Sequence, residues 1–265
     1  MAYEQILAEQ QGDVLLLTLN RPERLNAWTP KMLGELSAEI RRANDDRSIG
    51  AIVVTGAGRG FCAGADIGGQ FAKNLDEPAG DAPAPPAEAE GQAGSWISLC
   101  RSSKPLVAAI NGACIGVGLT MVLPFDQLVA AEGAKLSARF VKMGLVPELA
   151  SSHFLVTRCG FGNASYLALS GATLVAEDAI RYGLVDRVVA PDKLLDEAMA
   201  LARELGANPA PQLRMIKELL TENAAETDLD LVQRREGAAL GRAYRTPEHH
   251  EAVRAFLEKR APDFR

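Results

Sequence analysis

Two glycine-rich stretches carry the residue types best suited to chemistry by backbone groups. Gly60-Phe61-Cys62-Ala63-Gly64-Ala65-Asp66-Ile67 follows the apolar run 51–55, and Asn111-Gly112-Ala113-Cys114-Ile115-Gly116-Val117-Gly118-Leu119-Thr120 follows the apolar run 106–110. Glycine lets backbone approach a ligand closely and take positive φ. Two such loops, each led by a buried strand, could aim two N–H groups at one point, and converging N–H groups make an oxyanion hole. The chemistry this suggests is stabilisation of negative charge growing on a carbonyl oxygen. Thiol and metal chemistry find less support. The four cysteines (Cys62, Cys100, Cys114, Cys159) show no CxxC spacing and no base partner, so they read as reduced, mostly buried thiols. The three histidines, His153, His249 and His250, form no paired cluster with them, and no metal site is expected.

The elements that must position these loops alternate between strand and helix. Residues 3–10 and 13–20 predict a hairpin turning at Gly12. Asn20-Arg21-Pro22 reads as a turn, and Thr29-Pro30 as an N-cap with proline in the first helical position. Met32, Leu33, Leu36 and Ile40 fall at helical spacing, predicting an amphipathic helix to about Asn44. Further strands are predicted over 51–55, 106–110 and 127–131, with an edge strand within 184–189. Residues 136–141 read as strand or turn. Helices are predicted over 96–102, from near Gly118, over 151–159 and 162–170, and over 177–182. After Pro191 the chain reads as almost wholly helical, broken at Asn208-Pro209 and Thr246-Pro247. Such alternation implies a parallel sheet built from βαβ units. The stretch 68–94, rich in Ala, Pro, Gly and acidic residues, reads as a surface loop, either a lid or an insertion without a role.

Composition bounds the function. The 265 residues are 48% hydrophobic, enough for one large domain or a domain with an appendage. A formal charge of −6 with no basic run argues against nucleic-acid binding. No leader-like segment opens the chain and no apolar run is long enough to span a bilayer, so a cytoplasmic protein off the membrane is expected.

Five segments, in order, resemble those of the crotonase superfamily, the enoyl-CoA hydratase/isomerase family. They are Asn20-Arg21-Pro22-Glu23-Arg24-Leu25-Asn26-Ala27, Phe61-Cys62-Ala63-Gly64-Ala65-Asp66-Ile67, Lys104-Pro105-Leu106-Val107-Ala108-Ala109-Ile110-Asn111-Gly112, Ala179-Ile180-Arg181-Tyr182-Gly183-Leu184-Val185-Asp186, and Ala255-Phe256-Leu257-Glu258-Lys259-Arg260. The resemblance implies an α/β fold, a crotonase-like spiral of ββα units over 1–200 with a helical trimerisation region over 201–265. It implies a homotrimer or dimer of trimers and an acyl-CoA substrate, with no cofactor beyond the CoA of the substrate itself. By position, Ala65 and Val117 supply the oxyanion N–H groups, valine narrowing the acyl pocket where many members have glycine. Arg24, Ala63, Ala65 and Ile67 match CoA-binding positions, Arg24 near the phosphates.

The same resemblance separates the chemistries. Hydratases of this family carry two glutamates that hold and activate water, and Thr120 and Phe140 stand at those positions here, as acyl-pocket residues. Gly144-Leu145-Val146-Pro147-Glu148-Leu149-Ala150-Ser151-Ser152 resembles the segment of the Δ3,Δ2-enoyl-CoA isomerases that bears their single catalytic glutamate. Glu148 is then the one acid/base. Leu145, Val146, Leu149 and Phe140 could wall it and raise its pKa. As a position read alone, Glu148 is a helix-start glutamate favoured by the dipole. Asp66 is expected to organise its loop, Asp126 to be structural, and His153 to pack or face solvent. Three functions follow: a Δ3-to-Δ2 enoyl-CoA isomerase, a hydratase-like or ring-type acyl-CoA isomerase on an unusual substrate, and a non-catalytic acyl-CoA-binding subunit.

Overall fold

The structure, a computed structural model, describes residues 3–66 and 95–264. Ile67 and the loop expected over 68–94 lie outside the described residues. The chain opens with an antiparallel hairpin, β1 (Ile6–Gln11) and β2 (Val14–Leu19), turning through Gly12 at φ 66°. A 3-10 turn, Pro22–Arg24, leads to α1 (Pro30–Asp45), where the Thr29 hydroxyl accepts the Met32 N–H at 3.1 Å. That cap and Pro30 fix the helix start, as the sequence predicts.

The next elements come as pairs of strands. β3 (Ala51–Gly56) is followed by β4 (Gly60–Cys62), and α2 (Trp96–Ser102) then leads to β5 (Leu106–Ile110) and β6 (Ala113–Ile115). After the single-turn helix α3 (Val117–Thr120) come β7 (Gln127–Ala131) and β8 (Lys135–Ser137). The first strand of each pair joins a six-stranded sheet ordered β1-β2-β3-β5-β7 and closed by a later edge strand. The second joins a four-stranded sheet begun by β4-β6-β8. Each repeat therefore contributes one strand to each sheet, which is a spiral of ββα turns. Pairing is parallel throughout the repeats.

A 3-10 segment, Arg139–Met143, resolves the strand-or-turn reading of 136–141: the strand ends at Ser137 and a tight helix follows. α4 (Ser151–Ser170) is kinked at Gly160, whose φ of 73° and ψ of 160° are non-helical, so the expected pair of helices is one run with a break. β9 (Thr173–Val175) closes the small sheet antiparallel to β8, α5 (Ala176–Ala179) follows, and β10 (Arg187–Val189) is the parallel edge strand of the large sheet. The remainder is helical: α6 (Leu194–Gly206), α7 (Ala210–Asn223), α8 (Leu229–Ala243) and α9 (Pro247–Glu258).

Both faces of the large sheet are buried, so its strands read as nearly continuous apolar runs. Side chains alternate between the two faces. Leu15, Leu17, Ile52, Val54, Leu106, Ala108 and Leu128 enter the main core with Met32, Leu36 and Ile40 of α1. Val14, Leu16, Val53, Val107 and Val129 meet Leu194, Ala198, Met199 and Ala202 of α6 on the other face. The large sheet is thereby packed from both sides, and β4 and β6 of the smaller sheet follow directly on its strands β3 and β5.

Candidate active site

Register places the two glycine-rich loops side by side. β4 and β6 run parallel with Cys62 opposite Cys114, and Ala65 and Val117 each lie three residues beyond that pair. Glycine makes the approach possible. A Cβ at Gly118 would sit 2.2 Å from the Cys62 carbonyl oxygen, and one at Gly112 would sit 2.2 Å from that of Arg59. Only backbone without a side chain fits at either place.

Among the described residues, each loop carries an N–H group without a backbone acceptor. Ala65 forms a parallel bridge with Trp28 in which Trp28 N–H donates to Gly64 O (2.8 Å) and Asp66 N–H to Trp28 O (3.1 Å). That pattern turns the Ala65 N–H away from Trp28. Gly116, at φ 56° and ψ −123°, turns the chain into α3, and its carbonyl accepts the Leu119 and Thr120 N–H groups, both at 3.0 Å. Val117 is the first residue of that helix, where N–H groups have no intrahelical acceptor. Among the described residues, neither the Ala65 nor the Val117 N–H meets a backbone acceptor.

Buried polar side chains hold the first loop. Asn26, fully buried, accepts the Arg21 N–H at 2.8 Å and donates to Ala57 O and Gly60 O at 2.9 and 2.8 Å. Asn111 accepts the Gly56 N–H and donates to Gly56 O and Gly58 O. Arg21 bonds Ala27 O at 2.7 Å and pairs with Asp66 at 2.8 Å. Asp66 thus ties its loop to the 20–27 turn with the Arg21 guanidinium among its partners. Sequence reasoning passed over Arg21, Asn26 and Asn111. The signal was their place within quoted motifs, because an asparagine inside an apolar setting must satisfy both ends of its amide.

Glu148 lies on the segment after the 3-10 turn, and the two residues following it are strained. Leu149 and Ala150 take φ of 51° and 53°, a left-handed conformation that costs a non-glycine residue roughly 1–2 kcal/mol. Such strain concentrates at functional sites. The Glu148 carbonyl accepts the Ser151 N–H at 2.9 Å, which starts α4. Its carboxylate meets Thr120: the hydroxyl donates to Oε1 at 3.4 Å. The side chain remains open to solvent on one side, yet the protein packed around its carboxylate raises its pKa above the usual 4.5, while the Thr120 hydroxyl pulls the other way.

The apolar walls expected from neighbouring residues are not all present. Leu145 and Val146 face solvent, Val146 at 79% exposure, because the turn closed by Leu145 N–H on Phe140 O (2.9 Å) carries them outward. Leu149 packs against the core, and Phe140 is buried. Thr120 is wholly buried one helical turn from Val117. Arg24 is exposed at the end of its 3-10 turn, and Ala63 is half-buried with its N–H on Leu25 O at 3.0 Å.

The remaining candidates are structural. Burial pushes the Cys62 thiol to about 11 and Cys114 well above 9.0, so neither is a thiolate near neutral pH. Their S–H groups lie against Gly64 O and Gly118 O, within the two loops. Asp126 accepts from Leu106 N–H, Arg101 and Lys217. His153 is exposed and stacks edge-on against Phe154. No group of three or more His, Cys, Asp or Glu suited to a metal occurs among the described residues. Among them too, no helix is long and apolar enough to cross a membrane. A groove of about 920 Å³ between α1, α2 and α7 is lined by residues including Arg41, Asn44 and Thr221, and Glu148 is not among its lining residues.

Comparison with known proteins agrees with the fold. Residues 9–265 match the family model described as enoyl-CoA hydratase/isomerase. The chain is 37% identical to the 1,2-epoxyphenylacetyl-CoA isomerase of Escherichia coli K12, covering 98% of each chain. It is 34% identical to a probable enoyl-CoA hydratase of Rhizobium meliloti, over 100% of this chain and 99% of the other. Among solved structures, an enoyl-CoA hydratase from Polaromonas sp. JS666 superposes with a TM-score of 0.85 at 30% identity, covering 98% and 99% of the two chains.

Proposed function

We propose, from the premise that this chain belongs to the enoyl-CoA hydratase/isomerase family, that it is an acyl-CoA isomerase moving a double bond from Δ3 to Δ2 with Glu148 as its one acid/base. The observation carrying this reading is the partner of that carboxylate: Glu148 meets the hydroxyl of Thr120. The family resemblance supports it, matching Thr120 and Phe140 to the positions where hydratases carry glutamates. Neither can take a proton from water near neutral pH.

The steps balance without water. Glu148 takes a proton from C2 of a 3-enoyl-CoA. The electron pair of that C–H bond delocalises through the thioester carbonyl and the C3–C4 double bond, giving a dienolate. The Ala65 and Val117 N–H groups donate to the oxyanion, each worth roughly 3–4 kcal/mol in comparable acyl chemistry. The same carboxylic acid returns its proton at C4, leaving the double bond between C2 and C3. A carboxylate with a raised pKa is the stronger base for the first transfer. The family resemblance supports CoA binding with its phosphates near Arg24 and its chain along Ala63, Ala65 and Ile67. Exposed apolar side chains on the C-terminal helices, such as Leu240, Phe256 and Leu257, support assembly of region 201–265 with further copies as a trimer or dimer of trimers.

A second reading rests on the E. coli relative named an epoxyphenylacetyl-CoA isomerase. On that reading the same base and oxyanion groups act on a ring-bearing acyl-CoA. The experiment is to follow conjugated thioester absorbance after adding a 3-enoyl-CoA, with ring-bearing acyl-CoA esters and a 2-enoyl-CoA hydration assay alongside. Isomerisation that disappears in Glu148→Gln while CoA-ester binding survives is the expected result. Full activity in Glu148→Gln would overturn the assignment, and turnover confined to the ring esters would select the second reading. Tight binding with no turnover on any ester would indicate a binding subunit instead.

A further inference from the structure

Thr120 is buried completely, and its hydroxyl has one proton to give. Two acceptors lie within reach, the Val117 carbonyl at 3.5 Å and Glu148 Oε1 at 3.4 Å. The Val117 carbonyl is already used by the Met121 N–H at 2.9 Å. The carboxylate is the charged and therefore stronger acceptor. The Thr120 N–H is spent on Gly116 O at 3.0 Å, so the residue is fixed to the turn that also presents the Val117 N–H. One short helix thus carries an oxyanion donor at its start and a contact to the base at its end.

We infer that Thr120 is a positioning residue, whose hydroxyl holds Glu148 Oε1 against α3 so that Oε2 faces the substrate and carries the proton. This rests on Glu148 being the base. The contact is long in the free protein, and catalytic hydrogen bonds commonly tighten when substrate closes the site. Removing the hydroxyl does two things. It frees the carboxylate to rotate away from the α-carbon, and it withdraws a donor that favours the charged form, so the Glu148 pKa rises further. A threonine that merely fills space would be replaced by valine without either effect.

The test compares Thr120→Val, which keeps the shape, with Thr120→Ser, which keeps the hydroxyl. In Thr120→Val, kcat on a 3-enoyl-CoA should fall about tenfold, KM should change little, and the acid limb of the kcat–pH profile should move to higher pH. Thr120→Ser should restore both kcat and the limb. Should Thr120→Val fail to fold, Thr120→Ala against Thr120→Ser carries the same comparison. An unmoved acid limb in the valine or alanine variant, with kcat within twofold of the parent, would overturn the inference. Titration of the Glu148 carboxyl by carbon-13 NMR separates this from failure of the parent reading. A shift on losing the hydroxyl alongside an active Glu148→Gln means that the contact exists but the base lies elsewhere, which overturns the role. An inactive Glu148→Gln with no shift means that Glu148 is the base and Thr120 does not position it.

Discussion

Gly118→Ala tests whether catalysis needs the two loops in backbone contact. The added Cβ would lie 2.2 Å from Cys62 O and 2.9 Å from both Cys62 C and Cys62 Cβ, whereas ordinary contact begins at 3.4 Å. The loops must separate by about 1 Å to admit it, because the obstructing atoms are backbone and a fully buried cysteine in the β4–β6 pair. No flexible side-chain end can move aside. Overpacking of this kind costs about 1–3 kcal/mol of stability. The larger effect falls on rate. A displacement of about 1 Å in a positioned group costs on the order of 10²-fold. The Val117 N–H precedes Gly118 directly, so it moves with the shift. We expect kcat/KM for a 3-enoyl-CoA to fall about 100-fold, mostly in kcat, with a modest loss in Tm. Gly34→Ala is the matched control. Gly34 sits inside α1 with nothing within 4 Å of its would-be Cβ. Alanine there should stabilise by about 1 kcal/mol through helix propensity and leave kcat/KM unchanged. A Gly118→Ala enzyme within threefold of the parent, with undiminished Tm, would refute the requirement for close approach.

Two further predictions concern stability. Asp126→Asn leaves the Lys217 ammonium, only 5% exposed and 2.7 Å from the carboxylate, with a neutral partner. Breaking a buried pair from one side costs about 3–5 kcal/mol, so urea unfolding should show a loss near 3, and Lys217→Met should cost less. Glu148 is the reverse case, because its folded pKa lies above 4.5, mainly through burial. The folded state then holds its proton more tightly than the unfolded one, so stability is lost as pH rises from 4.5 through the folded pKa. Glu148→Gln should therefore match the parent in Tm at pH 4 and exceed it at pH 7, and an equal gap at both pH values would refute this.

What the sequence made legible was whatever rests on local pattern. The Thr29–Pro30 cap, the amphipathic stripe of α1 and the buried strands at 51–55, 106–110 and 127–131 all stand where periodicity put them. The break at Gly160 was legible in that the predicted helices stop at 159 and resume at 162, and glycine there takes φ 73° and ψ 160°. The strands β4, β6 and β9 were not legible, since three residues cannot display a period of two, and β8 showed only as the strand-or-turn reading of 136–141. β4, β6 and β8 follow the longer strands β3, β5 and β7, and β9 pairs antiparallel to β8. Asn26 escaped for a different reason. Its burial depends on the carbonyls of Ala57 and Gly60, which local sequence does not bring near.

The surroundings of Glu148 show the same division with consequences for mechanism. Its neighbours in sequence, Leu145 and Val146, suggested an apolar wall and instead face solvent. The contact that matters comes from Thr120, brought back by α3. The identity of that residue decides what the carboxylate can do. A second carboxylate at position 120 would place two like charges in one site and force them to share a proton, raising one pKa strongly and coupling both titrations. That arrangement suits holding and activating a water molecule between two groups. A hydroxyl does not titrate in this range, and among the described residues no second carboxylate meets Glu148 at Thr120. On the proposed reading the proton returns to the substrate, where a dienolate held at its oxygen presents C4 to receive it. On the proposed reading, a hydroxyl in place of a carboxylate favours moving a proton over adding water, while the backbone proposed to stabilise the enolate stays the same.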